Sequence, residues 1–365
     1  MRALILAGGF GTRLRPLSCT RPKLMFPIAN KTLLDWILEA LTREGVTKVV
    51  LAVNYMADAL ERAFGSTKYG VEIAYSREQK PLGTGGPIKK AESLLREDDA
   101  PFLVLNGDIV SALSYADLYR THQRFGGTGT IALHEVEDPT RFGVVELSGP
   151  RISRFVEKPR RDEAPSNLVN AGAYVLDQAV FDVIPPETKV SIEREVFPTL
   201  AARRSLYGYQ FPGFWIDTGE PSDYFAANRT MLKRVAGTMP LVDEAALVSP
   251  QATILPPSAI GAHVRIEEGA IVGPYAAIGD HVTVGQGSRV ENTIVFPHAW
   301  IESYTSIKGG IVGEAAIVGR WVKVEEGCIV GDHVMINDNV TLTKDVKICH
   351  SKEVSESILQ PATIM

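Results

Sequence analysis

Two folds in series are expected from this sequence of 365 residues. The first is an α/β domain on a Rossmann-like, mostly parallel sheet, and the second is a left-handed parallel β-helix of hexapeptide repeats. Three observations predict them. Apolar strand segments alternate with helical stripes through the first part of the chain, aliphatic residues recur every six positions in the last third, and a glycine-rich turn follows the first strand.

In the first part, strands are expected at Ala3 to Leu6, Lys48 to Val53, Val71 to Tyr75, Phe102 to Leu105, Thr130 to Val136, Asn170 to Leu176 and Leu206 to Phe211. Leu33, Leu34, Ile37, Leu38 and Leu41 form a stripe at helical spacing, with Thr32 and Asp35 placed as a capping box and Gly45 as a stop. A further helix from about Pro221 to Val235 leads out of this domain. The expected division is an α/β domain at 1–237, a linker at 238–247 and the repeat domain with its tail at 248–365.

The repeat runs from Val248 in steps of six to Val290, resumes after a five-residue step at Val295, and resumes after another at Val312 to reach Ile348. These eighteen positions make six triangular coils, each burying one aliphatic per side. Left-handed winding is the usual habit of hexapeptide families.

Composition narrows the function classes. The chain is 45% hydrophobic and 22% charged, with a net charge of -5 and no basic block of the kind that tracks a phosphate backbone, so nucleic acid is not expected as a partner. No apolar run approaches the ~18 residues of a membrane span, and the apolar run before Gly8 is too short for a secretory leader. Cys19, Cys328 and Cys349 are odd in number and far apart, which suits a reducing compartment and a cytoplasmic protein.

The chemistry is concentrated in a few motifs. Gly8-Gly9-Phe10-Gly11-Thr12-Arg13 follows the first strand, where backbone N–H groups at a sheet's carboxyl edge cradle phosphate. No Gly-Lys-Ser/Thr closes a Walker A, and Leu14 stands where a dinucleotide fingerprint needs its third glycine. Arg13, Arg15, Arg21 and Lys23 follow within eleven residues, interrupted by Pro16 and Pro22, so they do not form a solvated helix face. Cations fixed beside a glycine cradle suit a triphosphate.

Leu6-Ala7-Gly8-Gly9-Phe10-Gly11-Thr12-Arg13-Leu14 with Arg21-Pro22-Lys23 resembles the signature of the sugar-phosphate nucleotidylyltransferases. The similarity continues in order through Pro81-Leu82-Gly83-Thr84-Gly85-Gly86, Asn106-Gly107-Asp108, Val156-Glu157-Lys158-Pro159, Asn170-Ala171-Gly172, Ser191-Ile192-Glu193 and Trp215-Ile216-Asp217-Thr218-Gly219. It covers nearly the whole chain. Within the family it is strongest to members that join GTP to mannose 1-phosphate.

The resemblance implies the following roles. Asp108 and Asp217 hold Mg²⁺, each at the end of a strand; Arg13 and Lys23 neutralise the triphosphate. Leu6, Ala7, Gly8, Gly9, Gly11, Thr12, Gly83, Asn106 and Gly107 complete the nucleotide site, while Gly143, Glu157, Lys158, Asn170 and Gly172 bind the sugar phosphate. Physical need agrees, because a nucleophile already ionised near neutral pH requires no general base, only charge screening and in-line alignment.

Glu78, three residues before the proline of the Pro-Leu-Gly loop, lies at the base edge in this family. A carboxylate accepts the adjacent N1–H and N2 donors of guanine together, which favours GTP; a glutamine would better serve uracil or thymine. Glucose 1-phosphate with UTP or dTTP is the alternative substrate pair, and a catalytically silent regulatory homologue is the alternative role.

His281 and His333 sit in matching Gly-Asp-His-Val turns, read as structural signatures of the coils rather than as acyl-transfer sites. Exposed strand edges at the ends of a β-helix lead us to expect a homo-oligomer, dimer or higher.

Overall fold

The computed structural model describes residues 1–96 and 100–365. The chain divides into two compact units, Met1–Phe10 with Leu34–Ile216, and Gly11–Leu33 with Asp217–Met365.

The first unit is built on a ten-stranded sheet. From edge to edge its strands are Gly143–Ser148, Arg151–Glu157, Leu206–Gln210, Gly129–Glu135, Leu168–Leu176, Phe102–Asn106, Arg2–Leu6, Lys48–Val53, Val71–Arg77 and Thr67–Lys68. Arg2–Leu6 pairs parallel with Lys48–Val53 and Phe102–Asn106, and Lys48–Val53 pairs parallel with Val71–Arg77. This half is the Rossmann-like part, with its strands pointing their carboxyl ends the same way. Leu168–Leu176 runs antiparallel to both of its main neighbours.

All seven expected strands are present. The pair Gly143–Ser148 and Arg151–Glu157, an antiparallel hairpin, was not expected. Its apolar residues come singly or in pairs, Val144-Val145, Leu147, Ile152 and Phe155-Val156, so neither a continuous apolar run nor a strict alternation marks it.

Both faces of the parallel part are buried, which explains its unbroken aliphatic runs. Leu4, Val50, Val104 and Ile131 pack with Ile88, Leu95, Phe181, Phe197 and Leu200 on one face. Ala3, Ile5, Val49 and Leu103, pointing the other way by the two-residue period of a strand, are fully buried as well. The helix Leu33–Arg43 forms where the apolar stripe placed it, and Gly45 follows at φ +86°.

The second unit is dominated by three parallel sheets of eight, seven and six short strands, the stacked sides of a parallel β-helix. Strand pairing starts at Leu241–Val242. The repeat positions Val272, Ile278, Val284, Val290, Ile301, Ile307, Val312, Val318 and Val330 are fully buried and form one continuous core.

The two five-residue steps appear as shortened coils. Ala259 pairs with Ala277, eighteen residues on, whereas Ala277 pairs with Ile294 and Ile294 with Ile311, each seventeen on. The spacing returns to eighteen with Ile311 and Ile329.

His281 and His333 occupy left-handed corner conformations, φ 59° and 56°. His263, His281 and His298 stack at 4.8 and 4.9 Å between ring centroids. Their place at equivalent corners accounts for the repeated Gly-Asp-His-Val turns. The helix Pro221–Val235 has the expected bounds. Among the described residues no helix is long and apolar enough to cross a membrane.

Candidate active site

In the first unit, candidate residues gather at the carboxyl ends of the parallel strands. Leu6 ends the first strand, and its carbonyl accepts from the Gly107 N–H at 3.2 Å, while Ala7 N–H donates to the Ala52 carbonyl at 2.9 Å. A Cβ at Gly8 would stand 3.5 Å from the Asn54 Cβ and 3.7 Å from Glu78 Oε1; one at Gly9 would meet open space. The glycine turn therefore faces Glu78 on one side and an opening on the other.

Glu78 also holds its own loop. Its Oε2 accepts from the Leu82 N–H at 3.0 Å. Burial pushes its carboxyl above the usual range, partly opposed by that N–H.

The Pro-Leu-Gly loop is locked in turn against Val190–Glu193. Val190 N–H donates to the Leu82 carbonyl at 3.0 Å and Gly85 N–H to the Val190 carbonyl at 2.9 Å. Gly83 sits at φ +81°, and a Cβ there would fall 2.3 Å from the Val190 carbonyl oxygen, so this position excludes a side chain on both counts. The Thr84 and Ser191 hydroxyls donate to Glu193 at 2.6 and 2.7 Å. That staple gives Thr84 and Glu193 a role that sequence reading did not assign, although both lie inside quoted motifs.

Around the expected sugar site, Asn170 Oδ1 accepts from the Gly172 N–H at 2.9 Å and its Nδ2 donates to the Tyr174 hydroxyl at 3.0 Å. Asn170 thus shapes an interruption in its strand, where register with Gly129–Glu135 shifts between Asn170 and Tyr174. Gly172, at φ +71°, lets the Asn106 amide pack against the backbone: a Cβ there would lie 2.8 Å from Asn106 Nδ2.

Gly143 stands opposite Glu157 in the hairpin, and its missing side chain leaves room first for the Phe155 ring, 2.4 Å from where a Cβ would be, and then for the Glu157 carboxylate at 3.0 Å. Burial first, then the charge of Glu193, raises the Glu157 carboxyl; Lys158, with its ammonium 3.8 Å away, opposes both. Tyr174, fully buried, is held well above its usual range by burial and then by Glu193, with lesser contributions from Glu157 and Asp108. Lys158 is largely exposed and has φ +51°, which turns the chain between Glu157 and Pro159. The Trp215 indole N–H donates to the Ala171 carbonyl at 2.9 Å, and Phe142 packs edge-on to its ring.

In the second unit, Gly11 takes φ +58° and opens the short 3-10 turn Thr12–Leu14. The Ser18 hydroxyl donates to the Gly11 carbonyl at 2.8 Å, and Lys23 lies close by, its Cβ 3.6 Å from where a Gly11 Cβ would be. Arg13 pairs with Glu220 at 3.2 Å. A Cβ at Gly219 would meet Arg13 Nη2 at 2.7 Å and Asp217 Oδ1 at 3.0 Å, so the absence of a side chain lets guanidinium and carboxylate converge there.

Arg15 is exposed. Arg21 departs from the expectation of four cations directed at a triphosphate: its guanidinium is held by Glu314 and Asp332 of the coils. The sequence could not show that, because both partners lie some three hundred residues away.

Among the described residues no three His, Cys, Asp or Glu side chains come together as a ready-made metal cage. Asp108 and Asp217 offer hard carboxylate oxygens, the donor type that a divalent ion takes alongside phosphate oxygens.

The family model described as Nucleotidyl transferase matches residues 2–234, and the one described as GMPPB C-terminal domain matches 254–364. The chain is 39% identical to "Mannose-1-phosphate guanyltransferase beta-B" of Xenopus laevis, and 38% identical to "Mannose-1-phosphate guanyltransferase" of Schizosaccharomyces pombe, with both chains covered completely in each case.

Among solved structures, a putative glucose-1-phosphate thymidylyltransferase from Bacillus anthracis superposes with a TM-score of 0.58 at 23% identity, covering 67% of this chain and 98% of that one, a likeness of fold. A UDP-glucose pyrophosphorylase complexed with UDP-glucose gives 0.56 at 26% identity, covering 64% and 98%. With a family model matched over residues 2–234 and relatives similar from end to end, the chain belongs to the nucleotidyl transferase family.

Proposed function

We propose that this protein transfers the guanylyl group of GTP to mannose 1-phosphate and releases pyrophosphate. The observation that carries the reading is end-to-end similarity to relatives named for that reaction, with the cradle, both cations and both carboxylates at motif positions.

Asp108 and Asp217 would hold a Mg²⁺ ion, which when bound would supply charge neutralisation at the reacting phosphates. The glycine turn presents backbone N–H groups to the triphosphate. Arg13 and Lys23 offset the charge that builds on the departing pyrophosphate. Lys158 grips the phosphate of the incoming sugar, whose ionised oxygen attacks the α-phosphorus in line, so the α–β bridging bond breaks as the new P–O bond forms. Glu157, Asn170 and the backbone at Gly143 and Gly172 orient the sugar hydroxyls, and Glu78 reads guanine.

Three free cysteines support a cytoplasmic setting, and the exposed apolar residues Leu241, Val242 and Leu247 at the first coil support a homo-oligomer.

Pyrophosphate release with Mg²⁺ tests the function, crossing GTP, UTP, dTTP, ATP and CTP with mannose 1-phosphate and glucose 1-phosphate. Fastest turnover with GTP and mannose 1-phosphate is expected. Preference for UTP or dTTP with glucose 1-phosphate would replace the substrate assignment, and no turnover with any pair would favour a regulatory homologue. Light scattering giving a monomeric mass would overturn the oligomer.

A further inference from the structure

Arg21 is two residues from Lys23 and turned into the β-helix. Its Nη2 donates to Asp332 Oδ2 at 2.5 Å and to Glu314 Oε2 at 2.6 Å, and its guanidinium lies 4.8 Å from the centre of the Phe296 ring. The Thr20 hydroxyl donates to the same Asp332 oxygen at 2.6 Å.

Asp332 is only 2% exposed, and its other oxygen accepts from the Glu314 N–H at 2.8 Å. Asp280 and Asp338 make that same coil-to-coil bond, to the Ala262 and Arg320 N–H groups at 2.8 and 2.7 Å. Of the three, Asp332 is the one whose second oxygen takes two donors from the Gly11–Leu33 segment.

A buried ion pair is a poor source of net stability, because desolvation offsets its Coulomb energy. Arg21 even leaves its Nε–H buried without an acceptor. What such a pair does supply is a fixed position, through short charge-assisted bonds converging on one buried carboxylate. The backbone it holds is short: Met25 N–H bonds the Pro22 carbonyl and Phe26 N–H the Lys23 carbonyl, both at 2.9 Å, so Lys23 stands in a single 3-10 turn just after the anchored residues.

We propose that Arg21 is a positioning residue, clamped by Asp332 and Glu314 so that the turn carrying Lys23 is aligned for the triphosphate. This rests on the nucleotidyl-transfer reading above. The β-helix thereby acts on the reaction through alignment, without touching substrate.

The test uses the full chain with Arg21→Gln, Arg21→Lys, Asp332→Asn and the Arg21→Gln/Asp332→Asn double variant. An Asn at 332 retains an oxygen for the Glu314 N–H while facing Arg21 and Thr20 with a donor, so it breaks the clamp selectively. Hydrogen exchange at the Cys19, Met25 and Phe26 amides is the readout independent of activity. It should quicken about tenfold or more in Arg21→Gln and Asp332→Asn, with amides of the coil core unchanged.

In the pyrophosphate assay, kcat should fall about tenfold while KM for mannose 1-phosphate stays within about twofold. Arg21→Lys should recover part of the loss, and the double variant should be no worse than the worse single one. Unchanged exchange would overturn the clamp, whatever the kinetics; quickened exchange with unchanged kcat would overturn the positioning role. Arg21→Gln leaves the aliphatic core intact, so it decides the matter if Asp332→Asn fails to fold. A wild-type chain inactive with every substrate pair would refute the functional reading separately, and the exchange result would still decide the clamp.

Discussion

Replacing Glu78 by Gln isolates base reading from loop structure. In the native site one carboxylate oxygen accepts the Leu82 N–H at 3.0 Å, leaving the other directed toward the glycine turn, 3.7 Å from where a Gly8 Cβ would be. A Gln oxygen can keep the Leu82 bond, so the loop should stay in place. Its NH₂ then points a donor at the N1–H and N2 donors of guanine. Hydrogen bonds to a charged acceptor are worth roughly 1.5–3 kcal/mol each and are not additive, so a loss of about 3 kcal/mol is expected, or ~150-fold in kcat/KM for GTP. UTP, whose N3–H lies between two carbonyls, should change by less than about fivefold. Initial rates of pyrophosphate release with each nucleotide at fixed mannose 1-phosphate give the ratio directly. If the GTP to UTP ratio stays the same, Glu78 does not read the base.

Burial raises the Glu78 carboxyl, so on acidification it takes up a proton earlier than an ordinary carboxylate, and the GTP to UTP preference should fall on the acid side. Phosphate ionisation is common to both nucleotides and cancels in that ratio; a flat ratio would count against the assignment. Glu157 is raised too, so it favours the folded state below the ordinary value of 4.5 and loses that contribution as pH climbs through its folded value. Glu157→Gln should therefore flatten the fall in urea midpoint over that range. Lys23→Met should lower kcat by about 100–1000-fold, and chelation of divalent ions should abolish turnover until Mg²⁺ is restored. Gly83→Ala should destabilise the chain by at least about 2 kcal/mol, from the left-handed φ and the contact at 2.3 Å with the Val190 carbonyl, seen as a lower urea midpoint. Ile307→Ala, at a fully buried repeat position, should cost about 2–5 kcal/mol by the same measurement.

Much of the architecture was legible because its physical signals are local. The period of six survives two shortened coils, since each corner tolerates losing a residue while the inward aliphatics keep their place. The parallel strands announced themselves as apolar runs because both faces of the sheet are covered. The hairpin Gly143–Ser148 with Arg151–Glu157 did not, because its apolar residues come at most two in a row and without a regular alternation.

Within the candidate site, motif spacing singled out the two carboxylates and the glycine turn as candidates. It could not reveal that Asn170 bonds the backbone and Tyr174, that Glu193 staples the Pro-Leu-Gly loop through Thr84, or that Arg21 faces the coils. Each of those facts depends on a side chain meeting a partner distant in sequence or on a local break in register, which periodicity does not encode.

The membership of Gly11–Leu33 in the same compact unit as the coils bears on how this chain can be recombined with its relatives. A chimera joined at a single crossover near the last helix would import foreign coils against a native segment that had been matched, side chain by side chain, to the original ones. Thr20 and Arg21 meet Asp332, Asn30 donates to the Ile278 carbonyl at 2.7 Å, and the Ala29 N–H bonds Asn228 at 2.8 Å. A hybrid that exchanges 11–33 together with 217–365, through three crossovers instead of one, transplants those pairs intact. The inheritable module of this protein is thus discontinuous in sequence, and substitutions at position 21 and position 332 should be tolerated in pairs more readily than singly.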